Sequence, residues 1–144
     1  MKLIVSACLA GDNCKYKGGN NLNQKMMDFL RSHEIIKVCP EVLGGLPIPR
    51  PSAKIVEGQV MNTQGKNITK EFTLGAQRAF EIVTKENPDL IILQSRSPSC
   101  GIKQIYDGSF SGRKILGHGL FASLCIEAGY KVLDIEDSYE YLSR

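Results

Sequence analysis

The sequence has no C-x-x-C pair among its five cysteines, no long hydrophobic run and no block of like charge. Because it has no C-x-x-C pair, it lacks the usual signatures of structural zinc and of thioredoxin-type redox sites. No apolar run approaches the roughly 20 residues of a membrane helix, and the N-terminus lacks the regions of a signal peptide. A net charge of +3 without a basic cluster does not indicate nucleic-acid binding. We expect a cytoplasmic protein without a disulfide framework.

Short apolar runs alternate with segments of helical periodicity along the 144 residues. Strands are predicted over 2–7, 35–39, 89–94 and 131–135, helices over 22–32, from Thr69 to Asn87, and over 117–129, and a small β-hairpin over 55–62. This alternation predicts an α/β fold, a single-domain three-layer sandwich over residues 1–144. Its central sheet is expected to be mainly parallel and Rossmann-like, with helices on both faces and the β-hairpin as an insertion.

Three cysteines follow predicted strands. Cys8 closes the first strand, Cys39 closes the second, and Cys100 comes after the third strand and a serine-rich loop. Because the carboxyl ends of parallel strands meet at one edge of a sheet, we expect the three sulfurs to lie close together. Thiolates bind iron–sulfur clusters, zinc or copper(I), and three ligands leave one position open. Packing of small buried side chains explains Cys8 and Cys39 equally well.

The two remaining cysteines are interpreted differently. Cys125 lies on the predicted inward stripe of the last helix, which is typical of a packed thiol. Cys14 lies in the glycine- and asparagine-rich loop beside the predicted site. It is a fourth ligand, a resolving thiol or a spectator, and the spectator interpretation is favoured.

Polar residues surround the same predicted edge. Glu41 lies two residues past Cys39, across Pro40. Burial and a nearby thiolate would raise the pKa of Glu41, as a general base requires, whereas a glutamate in the first turn of a helix also serves the helix dipole. The serine hydroxyls of 95–101 can donate to a ligand, although composition alone describes a turn. Further candidates for ligand contact are Asp12, Tyr16, Arg50, Arg96, Arg113 and His118.

Several sequence blocks carry a resemblance to a known family. The blocks are 5–11, 15–18, 39–46, 49–51, 95–101 and 107–112. Together they resemble the bacterial family called domain of unknown function 523, whose characterised members are thiouracil desulfidases. The resemblance spans essentially the whole chain, and the combination of blocks is specific although no single block is.

The resemblance implies a cofactor and a set of ligands. A [4Fe-4S] cluster would be held by Cys8, Cys39 and Cys100, with the fourth iron free to bind the sulfur that is removed from a thiolated base. Such a cluster would be loaded by iron–sulfur assembly machinery and could be missing from aerobic preparations. The resemblance leaves the oligomeric state open.

The resemblance also implies roles in catalysis. The catalytic glutamate would be Glu41, and the catalytic serine Ser97, with Ser99 as second choice. We expect a non-redox hydrolytic attack on the C=S carbon of a small thiolated pyrimidine, with hydrosulfide released. Among the candidate ligand contacts, the substrate would be met by Arg50, Arg96, Tyr16 and His118.

This sequence departs from the family pattern at two places. Ser52 and Lys54 flank Ala53 where a Pro-Ala-Glu block is usual, and Gln94 stands where a basic residue is common. Both departures could alter the substrate pocket. Two alternatives therefore stay open. One is desulfuration of another thiolated metabolite or of tRNA, and the other is a non-catalytic, thiolate-based metal-binding or sensing module.

Overall fold

The computed structural model describes residues 1–22, 24–102, 104–106 and 114–142. The strands are β1 (Lys2–Ser6), β2 (Glu34–Val38), β3 (Ala53–Val56), β4 (Gln59–Asn62), β5 (Leu90–Leu93), β6 (Gln104–Tyr106), β7 (Lys114–Leu116) and β8 (Val132–Asp134). The helices are α1 (Gln24–Leu30), α2 (Pro40–Leu43), α3 (Thr69–Glu86), α4 (Leu120–Glu127) and α5 (Ile135–Leu142). A short 3₁₀ helix, Ala7–Ala10, follows β1 directly.

The central sheet has four parallel strands in the order β2-β1-β5-β8. The chain leaves β1 for β2 on one side, and later returns to β5 on the other side of β1. Ligands of open α/β sheets bind outside the carboxyl ends of the strands where the order reverses in this way. The loops that carry Cys8, Cys39 and Cys100 leave β1, β2 and β5, so all three begin at this edge.

Both faces of the sheet are covered, which explains the apolar run at 3–5 of β1 and the fully apolar β5. On one face, Ile4 and Ile91 pack against α3 and α4 in a single buried cluster. On the other face, Leu3 and Val5 pack with Met26 of α1. This three-layer arrangement confirms the predicted fold class. Within the residue ranges given above, no helix is long and apolar enough to cross a membrane.

The observed elements agree with most of the predicted ones. Each strand of the central sheet begins and ends within one residue of its prediction, and the β3–β4 hairpin begins two residues earlier than predicted. The prediction that the helix over 117–129 is the last one is wrong, because α5 follows β8 at once. Asp134 ends β8, and its Oδ1 accepts the Glu136 N–H at 2.8 Å in the first turn of α5. The β6–β7 pair was not predicted either. The block at 107–112 lies outside the described residues. The prediction of a single domain over 1–144 stays a prediction.

Two glycines allow α2 to lie directly against α3. A Cβ atom at Gly75 would lie 1.8 Å from the carbonyl oxygen of Pro40, and one at Gly44 would lie 2.0 Å from that of Glu71. Neither position has room for a side chain unless a backbone moves. Since Pro40 sits between Cys39 and Glu41, this close contact also fixes where both of those residues lie.

We expect Gly75→Ala to destabilise the fold although alanine is the better helix former. Helix propensity favours alanine by about 1 kcal/mol, but forced separation of packed elements costs about 1–3 kcal/mol. We predict a net loss of about 1 kcal/mol in the free energy of unfolding, measured by urea denaturation. Gly19→Ala is the matched control, because a Cβ there meets no atom within 4 Å. Equal stability of the two variants would contradict the prediction.

Candidate active site

A cavity of about 530 Å³ opens at the carboxyl edge of the sheet. Its wall is built by the loops that follow β1, β2 and β5, together with residues of the β3 region. Cys8, Cys39 and Cys100 all lie on this wall. The structure therefore brings the three cysteines singled out in the sequence to one site, as the parallel strand order requires.

A fourth thiol lies among them. Cys14 is buried on the same wall, and its thiol hydrogen-bonds those of Cys39 and Cys8. The bond with Cys39 lowers the pKa of Cys14, but the bond with Cys8 and burial outweigh it and raise that pKa to about 11. The spectator interpretation thus gains no support from its position. Cys125 lies in the core beneath α4, where burial raises its pKa to about 12.

The thiols of Cys39 and Cys100 are also held in their neutral form in the cluster-free protein. The hydrogen bond with Cys14 and burial raise the pKa of Cys39. Burial raises the pKa of Cys100, and a hydrogen bond from Ser6 opposes this shift. Metal binding at such thiols must release their protons.

Glu41 occupies the first turn of α2 and lies on the cavity wall. Burial raises the pKa of its carboxyl group, while the charge and hydrogen bond of Arg50 oppose that rise. Arg50 Nε donates to Glu41 Oε1 at 3.2 Å. The result is a largely enclosed carboxylate whose proton affinity is increased by desolvation and limited by one cation.

Arg50 joins three segments of the site. Besides Glu41, its guanidinium donates to the carbonyl oxygen of Pro47 at 3.1 Å and to that of Cys14 at 2.8 Å. Its backbone N–H donates to the Tyr16 carbonyl oxygen at 2.8 Å. All three guanidinium nitrogens are thus engaged within the protein, and the side chain is only 5% exposed. Arg50 holds the loop of Cys14 against the segment of Glu41.

The serine loop after β5 places Ser95 and Ser97 on the cavity wall, and the Ser95 hydroxyl donates to Asp134 Oδ1 at 2.6 Å. Ser97 lies on the wall, and its Oγ accepts the backbone N–H groups of Ser99 at 3.0 Å and Cys100 at 3.1 Å. These bonds fix the oxygen and leave the hydroxyl proton to donate. Ser99 is fully buried behind the wall, near enough to lower the pKa of Glu41, but its Oγ makes no hydrogen bond of regular geometry with the described residues.

Arg96 is held in an unusual conformation beside the cavity. Its φ of 63° lies in the left-handed region, which side chains rarely adopt outside functional sites. Arg96 Nη2 pairs with Glu136 Oε1 at 2.6 Å, while its Nε is buried without a partner among the described residues. An unsatisfied buried donor is unusual in a folded protein, and here it belongs to a residue of the cavity wall.

The other predicted ligand contacts are placed unequally. Tyr16 lies on the wall and is 37% exposed. His118 is exposed and is not on this wall. Its Nδ1 contacts the Ile102 carbonyl oxygen instead. Asp12 pairs with Lys37 at 2.8 Å and is not a wall residue, although its charge raises the pKa of the neighbouring Cys14. Arg113 lies outside the described residues. His118 and Asp12 therefore gain no support as ligand contacts.

Sequence reasoning missed three polar residues that contact the cysteines or their partners. Ser6 bonds Cys100, and Asn21 Nδ2 donates to Cys8 Sγ at 3.7 Å. Lys15 Nζ in turn donates to Asn21 Oδ1 at 2.9 Å. Asn21 does not cap the helix that follows it, since α1 begins at Gln24 and the Asn21 side chain faces the cysteine. No local sequence pattern marks a contact between residues so far apart.

The donor set suits a soft metal centre larger than one ion. Among the described residues, no three His, Cys, Asp or Glu side chains stand close enough to hold a single metal ion. Four thiols nevertheless share one cavity wall, those of Cys14 and of the three predicted ligands, and sulfur ligands select iron–sulfur clusters, zinc or copper(I). A cluster is wider than a single ion, and the cavity provides the space. The residues present therefore fit a cluster.

The departures from the family pattern all line the cavity. Ser52, Lys54 and Gln94 belong to its wall. Lys54 joins Lys15, Arg50 and Arg96 there, whereas Glu41 is the acidic residue among the described wall residues. The wall therefore carries an excess of positive charge.

Fold and site together define a class of protein, an open α/β sheet whose switch-point cavity is walled by cysteines and one enclosed carboxylate. A family model described as 2-thiouracil desulfurase matches residues 3–137. The chain belongs to the 2-thiouracil desulfurase family, and the predicted resemblance is confirmed.

Two relatives illustrate the likeness. The uncharacterized protein YbbK of Bacillus subtilis (strain 168) is 34% identical over 141 residues, which cover 91% of this chain and 93% of YbbK. A solved structure of the [4Fe-4S]-dependent thiouracil desulfidase TudS (DUF523Vcz) matches with a TM-score of 0.89 and 34% identity, covering 96% of this chain and 93% of that one.

Proposed function

We propose that this protein is a [4Fe-4S]-dependent desulfidase that hydrolyses the C=S bond of a small thiolated pyrimidine such as thiouracil. In the overall reaction, water adds its oxygen to the carbon, and the sulfur leaves as hydrosulfide with a proton, so no electrons are transferred. The observation that carries the proposal is the gathering of Cys8, Cys39 and Cys100 on one cavity wall beside Glu41. Family membership and the likeness to TudS support it.

Cys8, Cys39 and Cys100 would be the ligands of the cluster, leaving one iron without a protein ligand. When bound, the cluster would supply Lewis acidity and an open coordination position for sulfur. The positively charged wall would favour binding of the negative charge that develops on the substrate. A dedicated assembly system would deliver the cluster to the thiols.

Glu41 would act as the general base. Its carboxylate lies on the wall two residues from Cys39, in a desolvated position that increases its affinity for a proton. It would take a proton from the attacking water, directly or through the Ser97 hydroxyl. Arg50 would keep the carboxylate aimed at the cavity and limit the rise in its pKa.

Arg96 and Ser97 would orient the pyrimidine. A small movement of the Arg96 guanidinium would bring its buried, unpartnered Nε–H to an oxygen or nitrogen acceptor on the ring, while Nη2 is anchored on Glu136. The Ser97 proton can donate to the same ring or to the attacking water, since the Ser97 oxygen is fixed by two backbone N–H groups. Tyr16 would contact the substrate at the rim.

The proposal is tested by loading the protein with iron and sulfide under anaerobic conditions and supplying 2-thiouracil and 4-thiouracil separately. We expect uracil and hydrosulfide in equal amounts, with no reductant or oxidant added. The cluster-free protein from the same preparation is the control and should be inactive. A loaded protein that leaves both thiouracils intact, or a protein that takes up metal only as zinc, would overturn the proposal in favour of a binding or sensing role.

A further inference from the structure

Asn21 donates two hydrogen bonds to Cys8. Its backbone N–H donates to the Cys8 carbonyl oxygen at 2.8 Å, and its side-chain Nδ2 donates to Cys8 Sγ at 3.7 Å. Both residues lie on the cavity wall, although thirteen positions separate them in the chain. One residue therefore fixes both the backbone and the sulfur of a proposed ligand.

Lys15 determines which way the Asn21 amide points. Lys15 Nζ lies 2.9 Å from Asn21 Oδ1. An ammonium group only donates hydrogen bonds, so the amide oxygen must face Lys15 and the amide NH₂ must face the sulfur. The positive charge on the oxygen side also polarises the amide and strengthens its N–H as a donor.

A tight turn makes the contacts from Lys15 to Asn21 and from Asn21 to Cys8 possible. The Gly18 N–H donates to the Lys15 carbonyl oxygen at 2.7 Å, and the Lys15 N–H donates to that of Gly19 at 3.1 Å. The turn folds the loop back so that Lys15 and Asn21 meet beside Cys8. Lys17 points elsewhere, with its Nζ 5.7 Å from the centre of the Tyr16 ring.

We propose that Asn21, with Lys15 behind it, is a positioning residue that tunes the cluster through a hydrogen bond to the Cys8 sulfur. The inference rests on the proposed function, because it requires Cys8 to be a cluster ligand. A hydrogen bond to a ligand sulfur withdraws electron density from it, which raises the reduction potential of the cluster and makes its irons stronger Lewis acids. A purely apolar neighbour at this position would leave the sulfur more electron-rich.

The test is the midpoint reduction potential of the loaded cluster, followed by electron paramagnetic resonance during a redox titration. Asn21→Leu, which keeps the branched shape but cannot donate, should lower the potential relative to wild type. Lys15→Met should lower it by a smaller amount that still exceeds the shift in Lys17→Met, which removes the same charge from the same loop. Asn20→Ala, whose exposed side chain bonds Asn13 and the Leu22 N–H but not Cys8, should leave the potential unchanged.

An unchanged potential in loaded Asn21→Leu would overturn the inference, even if that variant unfolds at a lower temperature, because a merely structural role predicts only the latter. If Asn21→Leu does not load, Lys15→Met decides, and a shift no larger than that of Lys17→Met overturns the inference. Failure of the proposed function is distinguishable, since the wild-type protein would then take up no cluster or leave thiouracil intact.

Discussion

Replacing Glu41 by glutamine should lower the turnover of a thiolated pyrimidine by about 10²- to 10⁴-fold, the usual contribution of a general base. Glutamine has nearly the same shape, and its amide oxygen can still accept the Arg50 Nε–H that now bonds Oε1 at 3.2 Å. The site should therefore keep its geometry and its iron content. What the variant loses is a group that can take a proton from water.

The measurement is hydrosulfide release per loaded cluster, so that differences in iron content do not affect the comparison. Glu34→Gln is the matched control, because Glu34 is an exposed residue at the start of β2, at the opposite end of that strand from Cys39. It should retain wild-type turnover. Full turnover in loaded Glu41→Gln would show that the carboxylate is not the base and serves only to hold Arg50.

Removing the Arg50 guanidinium should have the largest effect on stability. Arg50→Met leaves the Glu41 carboxylate without its cation and the carbonyl oxygens of Pro47 and Cys14 without their donor. Breaking one side of a buried ion pair costs about 3–5 kcal/mol. Because burial already raises the pKa of Glu41, protonation of the abandoned carboxyl should keep the loss near the lower value.

Urea unfolding of the cluster-free protein measures this loss without any contribution from bound metal. Arg50→Lys is the informative companion, because it keeps the charge but cannot donate from three nitrogens in one plane. Its stability should fall between those of wild type and Arg50→Met. A loss of less than about 1 kcal/mol in Arg50→Met, which is typical of an exposed ion pair, would show that Arg50 does not hold the Cys14 loop against the segment of Glu41.

Much of the fold could be predicted because its central strands are buried on both faces. Leu3, Val5 and the residues of β5 have no polar alternation, and proline or glycine bounds most of these runs, so their limits are plain in the sequence. Helix α5 was harder to predict. Its first turn follows β8 without a loop, and Asp134 serves as the last strand residue and as an acceptor for that turn.

The cysteine set could be predicted for a topological reason, because residues that follow neighbouring parallel strands must share an edge. The polar partners of the sulfurs could not. Asn21 reaches Cys8 only because a turn at Gly18 folds its loop back, and Ser6 reaches Cys100 only because β1 and β5 are neighbours in the sheet. Such contacts follow from three-dimensional packing and leave no periodic pattern in the chain.

The central claim is that the thiols of three separate loops hold one inorganic centre. The most direct test is the amount of iron and acid-labile sulfide per chain after anaerobic loading of wild type, Cys100→Ala and Cys125→Ala. We predict that Cys125→Ala holds as much iron and as much sulfide as wild type, because its thiol lies in the core and does not line the cavity. Cys100→Ala should lose most of both. Wild-type iron and sulfide in Cys100→Ala would contradict the claim.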